Sequence, residues 1–168
     1  MKRIAIVGCP GVGKTTFARK LQQKTGLPLI HLDYYYHQLK YDYYHDKVAW
    51  VKRVEGFIKD DAWILEGNYS SSFEQRFARA DTIIFFDYPR RVALSGVIKR
   101  RVKHHRKRRV EMPSDWKEKA DINFMKYVWN FERDSRHKVI DALSKQADKK
   151  VVVFKNRHDA EEFLKQLP

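Results

Sequence analysis

One cysteine, Cys9, stands in 168 residues, which excludes an intrachain disulfide and any cysteine-built metal cluster and suits a reducing compartment. Long apolar runs are missing too. No stretch approaches the roughly 20 residues that a membrane-crossing helix needs, although 43% of the chain is hydrophobic. A secretory leader pattern is also lacking, because Met1-Lys2-Arg3 runs into only four apolar residues before a glycine loop begins. These absences predict a cytoplasmic protein with no membrane partner. There is no repeat, low-complexity tract or linker, and the length suits one domain over 1–168. Helix-turn-helix, zinc-finger and RNA-recognition signatures do not occur. Acid is scarce: 21 Asp and Glu stand against 35 Lys and Arg, a net +14. That balance predicts attraction to polyanions, whether nucleotides, nucleic acid or anionic lipid. The imbalance concentrates in Lys99–Arg109, which has eight Lys or Arg, His104 and His105, and no acid.

What is present is an alternation of apolar strands and helix-like stretches. Ile4–Val7 is a short β-rich run without polar alternation, as expected of a strand buried on both faces. Leu29–Leu32, Trp63–Leu65, Thr82–Phe86 and Val151–Phe154 read as four more strands. Helices are expected from Lys14 to a stop at Gly26, over Lys47–Lys59, from Pro89 onward, and over Asp159–Leu167. Ser71 and Glu74 have the spacing of a capping box. Leu94, Val97, Ile98 and Val102 define the inner face of the Pro89 helix. One long helix is expected from about Asp121 to Ala147, with Ile122, Met125, Trp129, Ile140 and Leu143 as its apolar positions. Tyr34–Tyr44, holding Tyr41, Tyr43 and Tyr44 among its tyrosines, has no clean period and reads as loop or short helix. The alternation predicts an α/β fold, a parallel sheet covered by helices on both faces, with ligands beyond the carboxyl ends of the strands.

Gly8–Thr15 matches G-x-x-x-x-G-K-[ST] between a strand and a helix, the context this motif requires. Its glycines let backbone N–H groups turn toward phosphate oxygens, and the helix N-terminus adds positive potential. Nucleotide binding is therefore expected at Gly8, Pro10, Gly11, Val12, Gly13, Lys14, Thr15 and Thr16. Lys14 would bridge the terminal phosphates and the Thr15 hydroxyl would ligate Mg²⁺, which makes ATP and Mg²⁺ the expected cofactors. Cys9 reads as a tolerated filler within the loop rather than a redox sensor.

Glu66 and Asp87 both stand at strand ends suited to an acid near the metal. Glu66 is favoured, acting through water, because Gly67 permits close approach of a second ligand. Asp33, ending the second strand, is either a base for an acceptor hydroxyl or a turn cap. The basic block has three readings: a lid closing over the phosphates, spanning about 99–120 with Arg100 and Arg101 as its working residues, a nucleic-acid stripe, or a solvated helix end. The outer residues, Arg106–Arg109, divide between the last reading and function. Arg133 shares a helical face with Asn130 and His137 and is either turned to the phosphates or paired with Glu132 or Asp134.

Taken together, the segments around Gly8–Thr16, Leu29–Asp33, Trp63–Tyr69, Ala80–Arg90 and Trp129–Arg136 resemble the bacterial DNA topology modulation proteins, a group of adenylate-kinase-like P-loop kinases. Glu66-Gly67 is similar to the Asp-Gly of adenylate kinases, and Phe86-Asp87-Tyr88-Pro89 to their Phe-Asp-Val-Pro, ahead of lid arginines. Asn68-Tyr69-Ser70 stands where they carry Phe-Pro-Arg, so the arginine that holds a nucleoside monophosphate there is absent. The resemblance implies a P-loop NTPase three-layer sandwich with strand order 2-3-1-4-5. It also implies separate sites for a nucleoside triphosphate and a small phosphoryl acceptor, and backbone contact to adenine near Asn156. The expected activity is Mg²⁺-dependent transfer of a γ-phosphoryl group to a nucleotide-like or hydroxylated acceptor. The other reading is a nucleic-acid-associated ATPase or DNA-binding regulator that uses Lys99–Arg109.

Overall fold

The structure, a computed structural model, describes residues 1–38, 46–103 and 122–167. Tyr41, Tyr43, Tyr44, His104, His105, Arg106–Arg109 and lid positions 104–120 lie outside the described residues. Five strands, β1 (Arg3–Gly8), β2 (Leu29–His31), β3 (Trp63–Glu66), β4 (Thr82–Phe86) and β5 (Lys150–Phe154), form one sheet in the order β2-β3-β1-β4-β5. Every pairing is parallel, with Ile6 opposite Glu66 on one side and Gly8 opposite Phe86 on the other. β1 is therefore central, and its carboxyl end lies between those of β3 and β4. The architecture and strand order are those expected.

Side chains alternate along the strands and so build two cores. Ile4, Ile6, Ile64, Ile84 and Phe86 point to one face, covered by α1 (Lys14–Thr25), α5 (Arg90–Lys103), α6 (Ile122–Asp134) and α8 (Arg157–Lys165) through Phe17, Leu21, Val97, Val128, Phe131 and Leu164. Ala5, Val7, Trp63, Leu65, Ile83 and Phe85 point to the other, covered by α2 (Leu32–Gln38), α3 (Lys47–Phe57), α4 (Phe73–Arg79) and α7 (Arg136–Ser144) through Leu32, Trp50, Val54, Phe77 and Val139. Each fully buried large side chain contributes about 1.5–3 kcal/mol by leaving water. Local signals start and stop the helices. Asp46 caps α3 by accepting the Ala49 N–H at 2.9 Å, and Gly26 closes α1 in the left-handed conformation with φ 69°.

Three sequence expectations are corrected. The long helix over 121–147 is two helices, α6 and α7, broken at Ser135. Val128 and Phe131 of α6 pack on one face of the sheet and Val139 of α7 on the other, and one straight helix cannot serve both. Of its expected apolar positions Met125 and Leu143 pack against the two cores, while Ile122, Trp129 and Ile140 are exposed. On α5 Val97 is buried and Leu94 packs against the core as expected, but Ile98 and Val102 face outward, because the helix turns its Ala93–Val97 side onto Gly11. The Ser71–Glu74 capping box does not form. Ser70–Ser72 makes a 3-10 turn, Ser72 donates to the Tyr69 carbonyl at 2.9 Å, and α4 starts at Phe73.

Candidate nucleotide and acceptor site

β1 delivers the chain into the phosphate loop, and α1 begins at Lys14, so the loop's backbone amides surround the helix N-terminus. Lys14 is buried and its ammonium donates to the Cys9 carbonyl at 3.0 Å, folded onto the loop itself. A hard contact fixes the loop from below. A methyl on Gly96 would lie 1.9 Å from the Gly11 carbonyl oxygen, and one on Gly11 would lie 2.2 Å from the Ala93 carbonyl oxygen. Loop and α5 thus touch backbone to backbone. Glycine inside a helix costs about 1 kcal/mol relative to alanine, and this contact is what it permits. Cys9 is a buried core residue. Burial pushes its thiol up to about 11 against the pull of Lys14, and the Sγ lies 3.8 Å from the Val128 carbonyl, which fits the filler reading.

On the β3 side, a chain of polar contacts leaves the loop. The Thr15 hydroxyl donates to Glu66 Oε2 at 3.3 Å, and His31 Nδ1 meets the same oxygen at 3.0 Å. Burial of Glu66, which is 5% exposed, would raise its pKa. The His31 hydrogen bond, the Lys14 and His31 charges and the Thr15 hydrogen bond outweigh that and hold it below the usual carboxylate range. A deprotonated carboxylate and a hydroxyl at the mouth of a phosphate loop are hard oxygen donors of the kind Mg²⁺ takes. Among the described residues no cluster of three or more His, Cys, Asp or Glu forms a metal cage.

Beyond Glu66 the chain turns at Gly67-Asn68-Tyr69. Asn68 Oδ1 accepts the Gly8 N–H at 2.8 Å, and the Tyr69 hydroxyl donates to Asp33 Oδ1 at 2.8 Å. Asp33 lies in the first turn of α2, two residues past His31. Its one hydrogen-bond partner among the described residues is that Tyr69 hydroxyl. The Tyr69 ring packs against Tyr36 (centroids 4.6 Å apart) and Trp50 (4.8 Å). These rings, together with Lys138, Asp141 and Lys145, line a cleft of about 1040 Å³. Tyr127 of α6 hydrogen-bonds Asn68 and Ser135. Although the residue as a whole is 42% exposed, desolvation around its hydroxyl raises the phenol pKa against those two bonds.

On the β4 side Asp87 has other business. It accepts two hydrogen bonds from Arg136, at 2.7 and 2.8 Å, and one from Lys155. The Arg136 bonds hold its carboxyl low, burial opposes, and Lys155 assists. Arg133 is turned outward and pairs with Asp134 at 2.6 Å, the surface arrangement that was one of its two readings. Arg100 follows Val97 on the inner face of α5 and lies 5.8 Å from the Phe124 ring centroid, whereas Arg101 is exposed. Asn156 caps α8, accepting the Asp159 N–H at 3.1 Å.

Sequence reasoning gave no role to His31, Asn68, Tyr69, Arg76, Gly96 or Tyr127. Gly96 carried a signal, a glycine inside a helix, and His31 a position, the end of a strand. Arg76 carried none, since Glu74-Gln75-Arg76 reads as a solvated helix face.

Among the described residues no helix is long and apolar enough to cross a membrane. No protein-family model and no curated protein matches the chain, and the resemblance to DNA topology modulation proteins is not shown by these comparisons. Solved structures do match. A shikimate kinase from Bacteroides thetaiotaomicron superposes with a TM-score of 0.57 at 18% identity, over 99% of this chain and 95% of that one. A shikimate kinase from Acinetobacter baumannii, solved in complex with shikimate, gives a TM-score of 0.59 at 12% identity, over 99% and 90% of the two chains. The chain therefore shares the fold of shikimate kinases, with its phosphate loop, Glu66 and Asp33 gathered at the carboxyl end of the sheet.

Proposed function

We propose that this protein is an ATP-dependent, Mg²⁺-dependent phosphotransferase acting on a small hydroxylated acceptor. The observation that carries the reading is the Thr15 hydroxyl of the phosphate loop meeting the Glu66–His31 pair, with Asp33, two residues beyond His31, separately holding the Tyr69 hydroxyl. The fold it shares with kinases of a hydroxylated small molecule supports it.

In this reading the amides of Gly8–Thr15 cradle the nucleotide phosphates, and Lys14 leaves the Cys9 carbonyl to follow the γ-phosphoryl group. Thr15, and Glu66 through water, hold Mg²⁺, which when bound offsets phosphate charge. The acceptor hydroxyl replaces the Tyr69 hydroxyl on Asp33. Its oxygen bonds to the γ-phosphorus as the bond to the β-phosphate oxygen breaks, Asp33 takes the proton, and ADP leaves. Arg100, with Arg101 beyond it, supplies charge from the lid side, and the Asn156 segment borders the adenine. Arg133 joins them only by releasing Asp134.

The test is a screen of purified protein with Mg²⁺-ATP against hydroxylated acids, sugars, nucleosides and nucleotides, scoring ADP release above the acceptor-free rate. No acceptor-dependent release from any class would refute the reading. The finer kinship with DNA topology modulation proteins is tested separately. DNA binding that persists at physiological salt and disappears on charge reversal of Lys99–Arg109 would favour the nucleic-acid reading.

A further inference from the structure

Arg76 of α4 is 0% exposed, and a guanidinium is almost never fully buried without a carboxylate partner. Among the described residues none hydrogen-bonds it. Its donors go instead to backbone carbonyls: Nη1–H to Gly67 at 2.7 Å, Nη2–H to Asn68 and to Tyr69 at 3.5 Å, and Nε–H to Ser72 at 3.4 Å. The rings of Phe73 and Phe77 lie 5.1 and 6.0 Å from its guanidinium carbon and exclude water. Burial pulls its pKa down to about 9 against the raising effect of Tyr69 and Glu66.

Three of the four carbonyls it grips belong to the successive residues Gly67, Asn68 and Tyr69, and those residues form the turn from which both arms of the site extend. One arm is Asn68 Oδ1 on the Gly8 N–H, at the start of the phosphate loop. The other is the Tyr69 hydroxyl on Asp33. The turn is not one the chain adopts readily. Tyr69 is the one described non-glycine residue with positive φ, at 45°, a conformation that costs about 1–2 kcal/mol for an L side chain. Three carbonyls pointing inward at one place also repel unless a donor meets them, and a planar fork of N–H groups does so where a single ammonium cannot.

We infer that Arg76 is the positioning residue of the site: its guanidinium sets the Gly67–Tyr69 turn, and through Asn68 and Tyr69 that turn fixes the first amide of the phosphate loop and the Asp33 carboxylate together. The geometric part stands on contacts alone. Its catalytic consequence rests on the phosphotransferase reading above.

The test compares Arg76→Lys and Arg76→Met with the wild-type full chain. The Gly8 amide is followed by NMR hydrogen exchange, and kcat and KM are measured for the acceptor that the screen identifies. In both variants Gly8 should lose protection while the amides of β4 and α1 keep theirs. kcat should fall about 10²-fold, as for a small misplacement of reacting groups, with KM for ATP changed far less. Arg76→Lys should also be non-additive with Asn68→Ala in its effect on Gly8, because both act through the same bond. Unchanged Gly8 protection, additive effects, or loss of folding in both variants would overturn the inference, the last by making Arg76 a purely structural residue. The exchange measurement needs no turnover, so an absent activity in the wild type sinks the phosphotransferase reading while this test still reports.

Discussion

Two carboxylates flank the phosphate loop from neighbouring strand ends, and the protein uses them differently. Glu66 ends β3 and Asp87 follows β4, one on each side of β1. Both are held deprotonated, but by different partners. Glu66 faces a hydroxyl and an imidazole, with Lys14 nearby, and among the described residues no Lys or Arg forms a salt bridge with it. Asp87 is saturated by the Arg136 fork and by Lys155, which tie β4 to α7 and to the end of β5. A strand-end acid is therefore not a site by position alone. The partners differ: Glu66 meets a hydroxyl and an imidazole, whereas a guanidinium and an ammonium together turn Asp87 into a clamp.

The comparison can be broken most sharply on the Glu66 side. Lys14→Ala removes the cation shared by the loop and Glu66, and turnover should fall about 10³-fold with the fold intact by circular dichroism. Glu66→Gln keeps shape and removes charge. kcat should fall on the order of 10²-fold, while Asp87→Asn should change kcat only a few-fold in the same assay. Equal losses in the two variants would erase the distinction. Gly96→Ala, which forces a methyl against the Gly11 carbonyl, should cost about 1–3 kcal/mol in urea denaturation and weaken ATP binding measured by titration calorimetry.

The smallest effect is expected for Asp87→Asn in stability, about 1–2 kcal/mol once solvent screening of the half-open Arg136 and exposed Lys155 is allowed for. Its pH signature is more telling than its size. Because the folded pKa of Asp87 is depressed, its contribution is present above the unfolded value of about 3.9 and is lost as pH falls through the folded value. The wild type should therefore lose its advantage over Asp87→Asn between roughly pH 4 and lower pH, read from urea midpoints.

These residues also show what was legible in the sequence. The loop and all five strands were readable because each is local, a glycine spacing or an apolar run; Asp33 and Glu66 stood out only as acids where a run stops, and Asp33 falls in the first turn of α2 rather than at the end of β2. What joins them was not. Arg76 reaches back to residues 67–69, and Asn68 reaches Gly8 from 60 residues away. No pattern within a helix announces such partners. The break at Ser135 was hidden for a related reason. Periodicity reports one apolar stripe, whereas α6 and α7 serve opposite faces of the sheet, a fact of topology.

The contact between Gly11 and Gly96 has a mechanical meaning. With a carbonyl oxygen against a bare α-carbon and no side chain between, there is no compliant layer at that point. α5 runs on for about two turns past it to Arg100 and Lys103, so any tilt of α5 that displaced those residues would bear on the phosphate loop at this contact.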